Sequence, residues 1–376
     1  MRSVNNPSIM ALDQVKILSR PTRIRSAIMA VVLVAYLAFI FVIFFQAVIP
    51  SYTNGTTSEA FSVDSTLYVA FADVIRAGRF DPWVAASMAH FPNTLWVPVL
   101  LSFVLNSAFL VMLVNVAAAV LSICLLKRGY AVSLTVFLPL LLMNPTTTTS
   151  LLCVNKEIFD LLNLSMFLYG RAKRIRWPIV IALGIALLNR WETCLVMLVF
   201  LFIESRLNPW KDRRWTFLII LLLLLNFAMP LWGANTLAKR FEETESGNTI
   251  AVLDGLQMHY LYVIAVIPKI ADNLFGQILN KEVWEVGSSW LFINFFNNIA
   301  SALLLFIAFG KRLLTLQNDF VYFAAVGAIF MAQSLAVQPR YFYLIYVLIC
   351  LQVALPGPAC KCARAPINLL LGDAHG

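Results

Sequence analysis

The chain has 376 residues, of which 61% are hydrophobic and 12% charged, and its formal net charge is +9. Its mean hydropathy is +0.82, whereas a soluble domain carries about 25% charged residues and lacks apolar runs of 20. Composition therefore excludes an ordinary soluble protein. The basic balance does not point to nucleic acid, because most Lys and Arg lie in short turns between apolar segments, as the cytoplasmic bias of positive charge produces.

Residues 1–25 form a polar, basic tail with Arg2, Lys16, Arg20, Arg23 and Arg25 against a single acid, Asp13. Ser26 to Pro50 follows as a helix of spanning length, too long for a cleaved signal and with no small-residue cleavage site. The tail is thus expected in the cytoplasm, with a first outer loop over 51–94. One long crossing returns inward and ends at Leu126, before Lys127 and Arg128. Tyr130 to Gly170 is apolar between two basic clusters, which predicts a hairpin of two crossings of about 20 residues each. Its apex is expected near Asn144-Pro145 and the Thr146 to Thr149 run.

A second hairpin runs from Trp177 to Ser205, with Asn189-Arg190-Trp191-Glu192 as its apex. Each arm holds about 14 residues, roughly 21 Å at 1.5 Å per residue, short against a hydrocarbon layer about 30 Å thick. Thr216 to Ala234 crosses outward. The segment 236–289 begins acidic (Glu242, Glu243, Glu245), and the spacing of Lys269, Asp272, Asn273 and Gln277 after Pro268 predicts interfacial helices with their apolar faces toward the membrane. Trp290 to Phe309 returns inward, Asp319 to Val337 crosses outward, and Phe342 to Leu355 returns to a basic cytoplasmic tail at 358–376. The expected architecture is all-α: one integral-membrane domain over 1–376, a helical bundle of about ten crossings with two outer loops bearing short interfacial helices. In this topology 19 of the 28 Lys and Arg lie on the inner side, which fixes the orientation.

Charged groups that are not turn residues all fall on the outer side: Asp64, Lys156 and Glu157, Arg190 and Glu192, and Arg340 in Gln338-Pro339-Arg340-Tyr341. A charge inside hydrocarbon costs about 2.5–3.5 kcal/mol on insertion scales, so such residues are functional candidates. Three cations (Lys156, Arg190, Arg340) with nearby acids suit an anionic lipid head beside a polar acceptor. Bland readings exist for each. Asp64 can be a solvated loop acid, Lys156 and Glu157 can be a snorkelling cation and a helix cap, and Arg340 with Tyr341 can be an interface anchor. Asp73 and Asp81 read as structural. The cysteines form no zinc spacing, and no metal or cofactor is expected.

Asp64-Ser-Thr-Leu-Tyr68, continuing through Ala72 and Ile75 to Gly78 directly after the first membrane helix, resembles the first outer loop of the GT-C class of integral-membrane glycosyltransferases. The resemblance covers about fifteen residues. It implies that Asp64 is the catalytic base, that Tyr68 lies in the saccharide site, and that the donor is a polyprenyl-linked sugar. Many members have a second acid where this chain has Ser65, so the resemblance implies a metal-independent, inverting enzyme. Asn155-Lys156-Glu157 before an aliphatic helix, and Arg340-Tyr341 near the last outer turn, resemble elements of bacterial surface-polysaccharide polymerases. The expectation is a glycosyltransferase acting on a glycan or lipid-linked acceptor at the outer face of a bacterial inner membrane. Asp64 would take the acceptor proton, and Asn155, Lys156, Glu157, Arg190, Glu192, Gln338, Arg340 and Tyr341 would bind substrate. Polymerisation of lipid-linked repeat units is the nearest alternative. A lipid-linked sugar flippase is the alternative from another class, though the inner half of the bilayer is expected to hold almost no polar groups.

Overall fold

In the computed structural model, residues 63–78, 96–243, 249–278, 289–333 and 339–355 are described, with five isolated helical positions between 31 and 42. The described residues form fourteen α-helices and two 3-10 turns, and no strand. Asp81, Gln338, both tails and most of the first apolar segment lie outside them.

Helix α1 (Val63–Arg76) carries the Asp64–Ile75 string. The single crossing expected up to Leu126 is instead two helices, α2 (Trp96–Leu105) and α3 (Ala108–Tyr130). The break falls at Asn106, with φ of 44°, a conformation that Asn tolerates better than most residues. Ser107 then caps α3 by accepting from the Leu110 N–H. Within α3, Phe109–Tyr130 is the one stretch among the described residues that is long and apolar enough to cross a membrane.

The 130–170 hairpin is corrected in the same way. Its ascending arm is α4 (Leu134–Met143) followed by α5 (Pro145–Leu152), and the descending arm is α6 (Glu157–Lys173). Asn144 and Pro145 mark a break within the arm. Asn144 has extended backbone and its side chain caps α5 by accepting from the Thr146 N–H, while Pro145 starts a helix that needs no N–H there. The turn proper is residues 153–156. By contrast, the second hairpin matches its expectation closely. Helices α7 (Arg176–Asn189) and α8 (Trp191–Glu204) have 14 residues each, joined by Arg190 alone in extended conformation.

The chain continues through α9 (Arg214–Glu243), α10 (Thr249–Met258), α11 (Tyr262–Phe275), a 3-10 turn (Gly276–Ile278), α12 (Ser289–Gly310), α13 (Asp319–Met331), a second 3-10 turn (Pro339–Phe342) and α14 (Tyr343–Ala354). Helix α14 is apolar around its whole circumference, and such a helix is stable only when buried on all sides. It forms the centre, packed against α4, α12 and α13. The outward surfaces are apolar too, with Val180, Leu224, Phe306 and Phe309 exposed. Helix α11 keeps its apolar face outward, as expected, but turns its polar face against protein rather than water. Lys269 and Asn273 are buried against neighbouring helices, while Ile264 and Ile267 face outward.

The basic turns gather at one end of the bundle. There Tyr130 meets Phe320 edge-on at 5.0 Å, the Ser133 N–H donates to the Ala354 carbonyl, and Arg171 and Arg214 both reach Asp319. Helices α3 and α6 run parallel away from the opposite end: Asn115 donates to the Cys153 carbonyl at 2.9 Å, and a Cβ on Gly129 would touch Ala172. The turn at 153–156, Arg190 and the 3-10 turn with Arg340 lie at that opposite end.

Candidate functional site at the Arg190 end

Helix α6 begins at Glu157, and one turn later Asp160 points from the same face. Both carboxylates are buried, and Arg190 enters between them, with Nη2 3.4 Å from Glu157 Oε1 and Nη1 3.4 Å from Asp160 Oδ2. The short α7–α8 connection makes this possible, because a single extended residue between two helices projects its side chain across the neighbouring hairpin. Asn189 secures the join, donating from Nδ2 to the Lys156 carbonyl (3.0 Å) and to Asp160 Oδ1 (2.8 Å). On the far side, the Arg190 guanidinium lies 5.2 Å from the centre of the Tyr341 ring, and Arg340 lies 5.6 Å from the same ring. Tyr341 is thus held between two guanidinium groups, an arrangement favoured by its ring quadrupole.

Three stretches far apart in sequence therefore meet: 155–160, 189–192 and 340–341. Lys156, the residue before α6, is also buried. Among nine-tenths-buried charged residues at this end, three are cations (Lys156, Arg190, Arg340) and two are carboxylates (Glu157, Asp160). Glu192 sits half-buried in the first turn of α8. Several buried polar atoms here have no hydrogen-bond partner: Glu157 Oε2, Asn189 Oδ1, Thr193 Oγ1 and both polar atoms of the Asn163 side chain. Such atoms are rare in folded proteins and mark a place where a ligand or water completes the structure.

Other sequence candidates stand differently. Asn155 turns inward on its own loop, its Oδ1 accepting from the Lys156 N–H and its Nδ2 donating to Ser150 Oγ. Tyr68 is packed with Phe71, Val99, Val111 and Val154, with no ring face open to a saccharide. That packing sets α1 against the 153–156 turn. Asp64 lies one helical turn before Tyr68 in α1, and its side chain lies outside the described residues. Asp160, Asn163 and Asn189 were not singled out in the sequence, although the i, i+3, i+6 spacing from Glu157 is a readable signal once α6 is known to start there.

A second ion cluster occupies the basic end, which is therefore not bare of buried charge. Arg171 pairs with Glu204 and with Asp319 (3.3 Å), and Arg214 pairs with Asp319 at 2.5 Å. The guanidinium groups of Arg171 and Arg214 lie over Phe323 and Tyr322. Between the two ends, Phe167, Phe200 and Phe323 form an aromatic layer, with ring centres 6.3 Å and 4.2 Å apart. A third group joins α10 to α11: Lys269 bonds Asp254 and Gln257, each at 2.6 Å. Burial pulls the Lys269 ammonium down from its usual range, and the bond to Asp254 opposes that shift. The described residues hold no cluster of three His, Cys, Asp or Glu that could bind a metal.

No family model matches the chain, and neither the curated proteins nor the solved structures contain a match to it.

Proposed function

We propose that the chain is a multi-pass membrane glycosyltransferase that moves a sugar from a polyprenyl-phosphate-linked donor to a glycan or lipid-linked acceptor at the Arg190 end. The observation that carries the proposal is the gathering of buried charged groups there from three remote segments, beside buried side-chain atoms of Glu157, Asn163, Asn189 and Thr193 that have no hydrogen-bond partner. Arg190 is already engaged by Glu157 and Asp160, so its part is to hold those carboxylates in place, while Lys156 and Arg340 meet the phosphate. The unsatisfied oxygens of Glu157, Asn163, Asn189 and Thr193 suit the hydroxyls of a sugar.

The exposed apolar surfaces and the segregation of basic turns to one end support a bundle in a bilayer, with the basic end in the cytoplasm. In a bacterium this would be the inner membrane, with the site on its outer side. Helices of 14 residues in the second hairpin support a site below the membrane surface, where a lipid phosphate would enter sideways. The apolar packing of Phe167, Phe200 and Phe323 nearer the basic end favours a one-sided site over a transport path. Asp64 would act as the base on the acceptor hydroxyl. It is the acid of the α1 string, and α1 packs beside the 153–156 turn.

The test is surface-glycan analysis of cells lacking the protein, complemented at matched expression with wild type, Asp64→Asn and Arg340→Gln. Wild type should restore the glycan and both variants should fail. Loss of one sugar identifies single transfer, and loss of chain length identifies polymerisation. Full complementation by both variants would sink the site assignment.

A further inference from the structure

Helix α12 places Asn294, Asn297 and Asn298 on one face at i, i+3 and i+4, all of them buried. The opposite face, with Phe296, Leu303 and Phe306, is exposed. A helix that turns amides inward and phenylalanines outward has an inner face shaped by something other than apolar packing. Three amides in this region, those of Asn273, Asn294 and Asn297, each keep one end without a partner. Asn297 Oδ1 accepts from the N–H and the hydroxyl of Thr146 on α5, both at 3.1 Å, while its Nδ2 has no partner. Asn273 on α11 donates to the Lys269 carbonyl at 2.9 Å, while its Oδ1 has none. Asn294 Oδ1 is likewise unpaired. Asn298 draws the two helices together by donating to the Asn273 carbonyl at 2.7 Å.

We infer that these half-satisfied amides form a second, uncharged saccharide subsite, between α5, α11 and α12, for a neutral polyhydroxylated group. One leftover donor and two leftover acceptors match sugar hydroxyls, each of which both donates and accepts. The three amides whose ends are left over carry no charge, so this group has none of the phosphate affinity of the Arg190 cluster. The two regions adjoin through the 3-10 turn bearing Arg340 and Tyr341, which packs on both α11 and α12. Taking the group bound here as the acceptor rests on the glycosyltransferase reading; the existence of the subsite does not.

The experiment uses the full chain in lipid nanodiscs with two probes, read by saturation-transfer NMR and by competition. One probe is a set of hexyl glycosides (glucoside, galactoside and N-acetylglucosaminide), and the other is farnesyl phosphate. Wild type should bind at least one glycoside more tightly than about 10 mM. Asn294→Leu and Asn297→Leu should each weaken that binding by about 3–10-fold, the loss of one neutral hydrogen bond, with farnesyl phosphate affinity unchanged. Asn294→Ser, which keeps an acceptor, should stay within about threefold of wild type. Unfolding temperatures are recorded, and Asn294→Ala replaces a leucine variant that does not fold. Absence of glycoside binding, or binding indifferent to these substitutions, overturns the subsite. Failure to bind farnesyl phosphate while the glycoside dependence persists overturns the anionic-donor reading and leaves the subsite standing.

Discussion

Arg190→Met tests whether the buried ion triad is real. In the wild type one guanidinium stands 3.4 Å from each of two carboxylates, with Glu157 and Asp160 essentially inaccessible to solvent. Methionine keeps most of the volume but removes the charge, so both carboxylates lose the guanidinium that pairs with them. Removing one member of a buried pair costs about 3–5 kcal/mol, most of it the penalty of an uncompensated buried charge. Replacing all three groups by neutral ones is far milder, because nothing charged is then left behind. Arg190→Met should therefore lower stability by about 3–5 kcal/mol, and the triple variant with Glu157→Gln and Asp160→Asn should recover to within about 1–2 kcal/mol of wild type. Reversible unfolding in mixed micelles, followed by tryptophan fluorescence, measures both. If the single variant is as stable as wild type, or the triple is as unstable as the single, the triad does not exist as described.

Two further predictions use the same assay. Gly170→Ala should cost about 1–3 kcal/mol, because the added Cβ would lie 2.7 Å from Ile179 Cγ1 and 2.9 Å from the Ile175 carbonyl oxygen at the α6–α7 turn, where backbone cannot yield. Asp319→Asn should cost about 1 kcal/mol or less despite losing both arginine partners, because its side chain is 45% exposed and solvent screens the pair. The difference between Asp319→Asn and wild type should shrink further as salt is raised.

Sequence periodicity and charge placement made the alternation of ends legible. The basic turns at 127–128, 171–176, 206–214 and 311–312 were readable because Lys and Arg resist burial, and the structure gathers segments flanking each of them at one end. Arg190 was readable for the opposite reason, as a charge in the middle of apolar sequence with no room for a loop. The break at Asn106 was not, since one residue in a left-handed conformation leaves the hydrophobic pattern on either side intact, and Asn144-Pro145 was read as the hairpin apex where it interrupts one arm. Tyr68 shows the limit of a local string: its spacing says that it shares a face with Phe71, Ala72 and Ile75, and the structure makes that face packing. The burial of Lys269 and Asn273 in α11 was not legible, because periodicity identifies two faces of a helix without saying whether protein or water covers the polar one. Asp160 was overlooked because its one-turn spacing from Glu157 has meaning only after the helix start is fixed.

The two ion clusters differ in a way that bears on their roles. At the basic end, Arg171 and Arg214 are matched by Glu204 and Asp319, and that network closes on itself across four helices. It ties helix ends together, with Glu204 Oε2 its one unsatisfied oxygen among the described residues. At the Arg190 end, unsatisfied oxygens and amide ends accumulate beside the deeply buried Glu157, Asp160 and Arg190. A cluster kept only for stability would be better replaced by apolar side chains of similar volume. Retaining a buried and incompletely satisfied group is a cost without return unless a ligand or water supplies the missing hydrogen bonds. Nearer the basic end, the packed rings of Phe167, Phe200 and Phe323 leave no such polar atoms to satisfy, so the two clusters ask for different explanations.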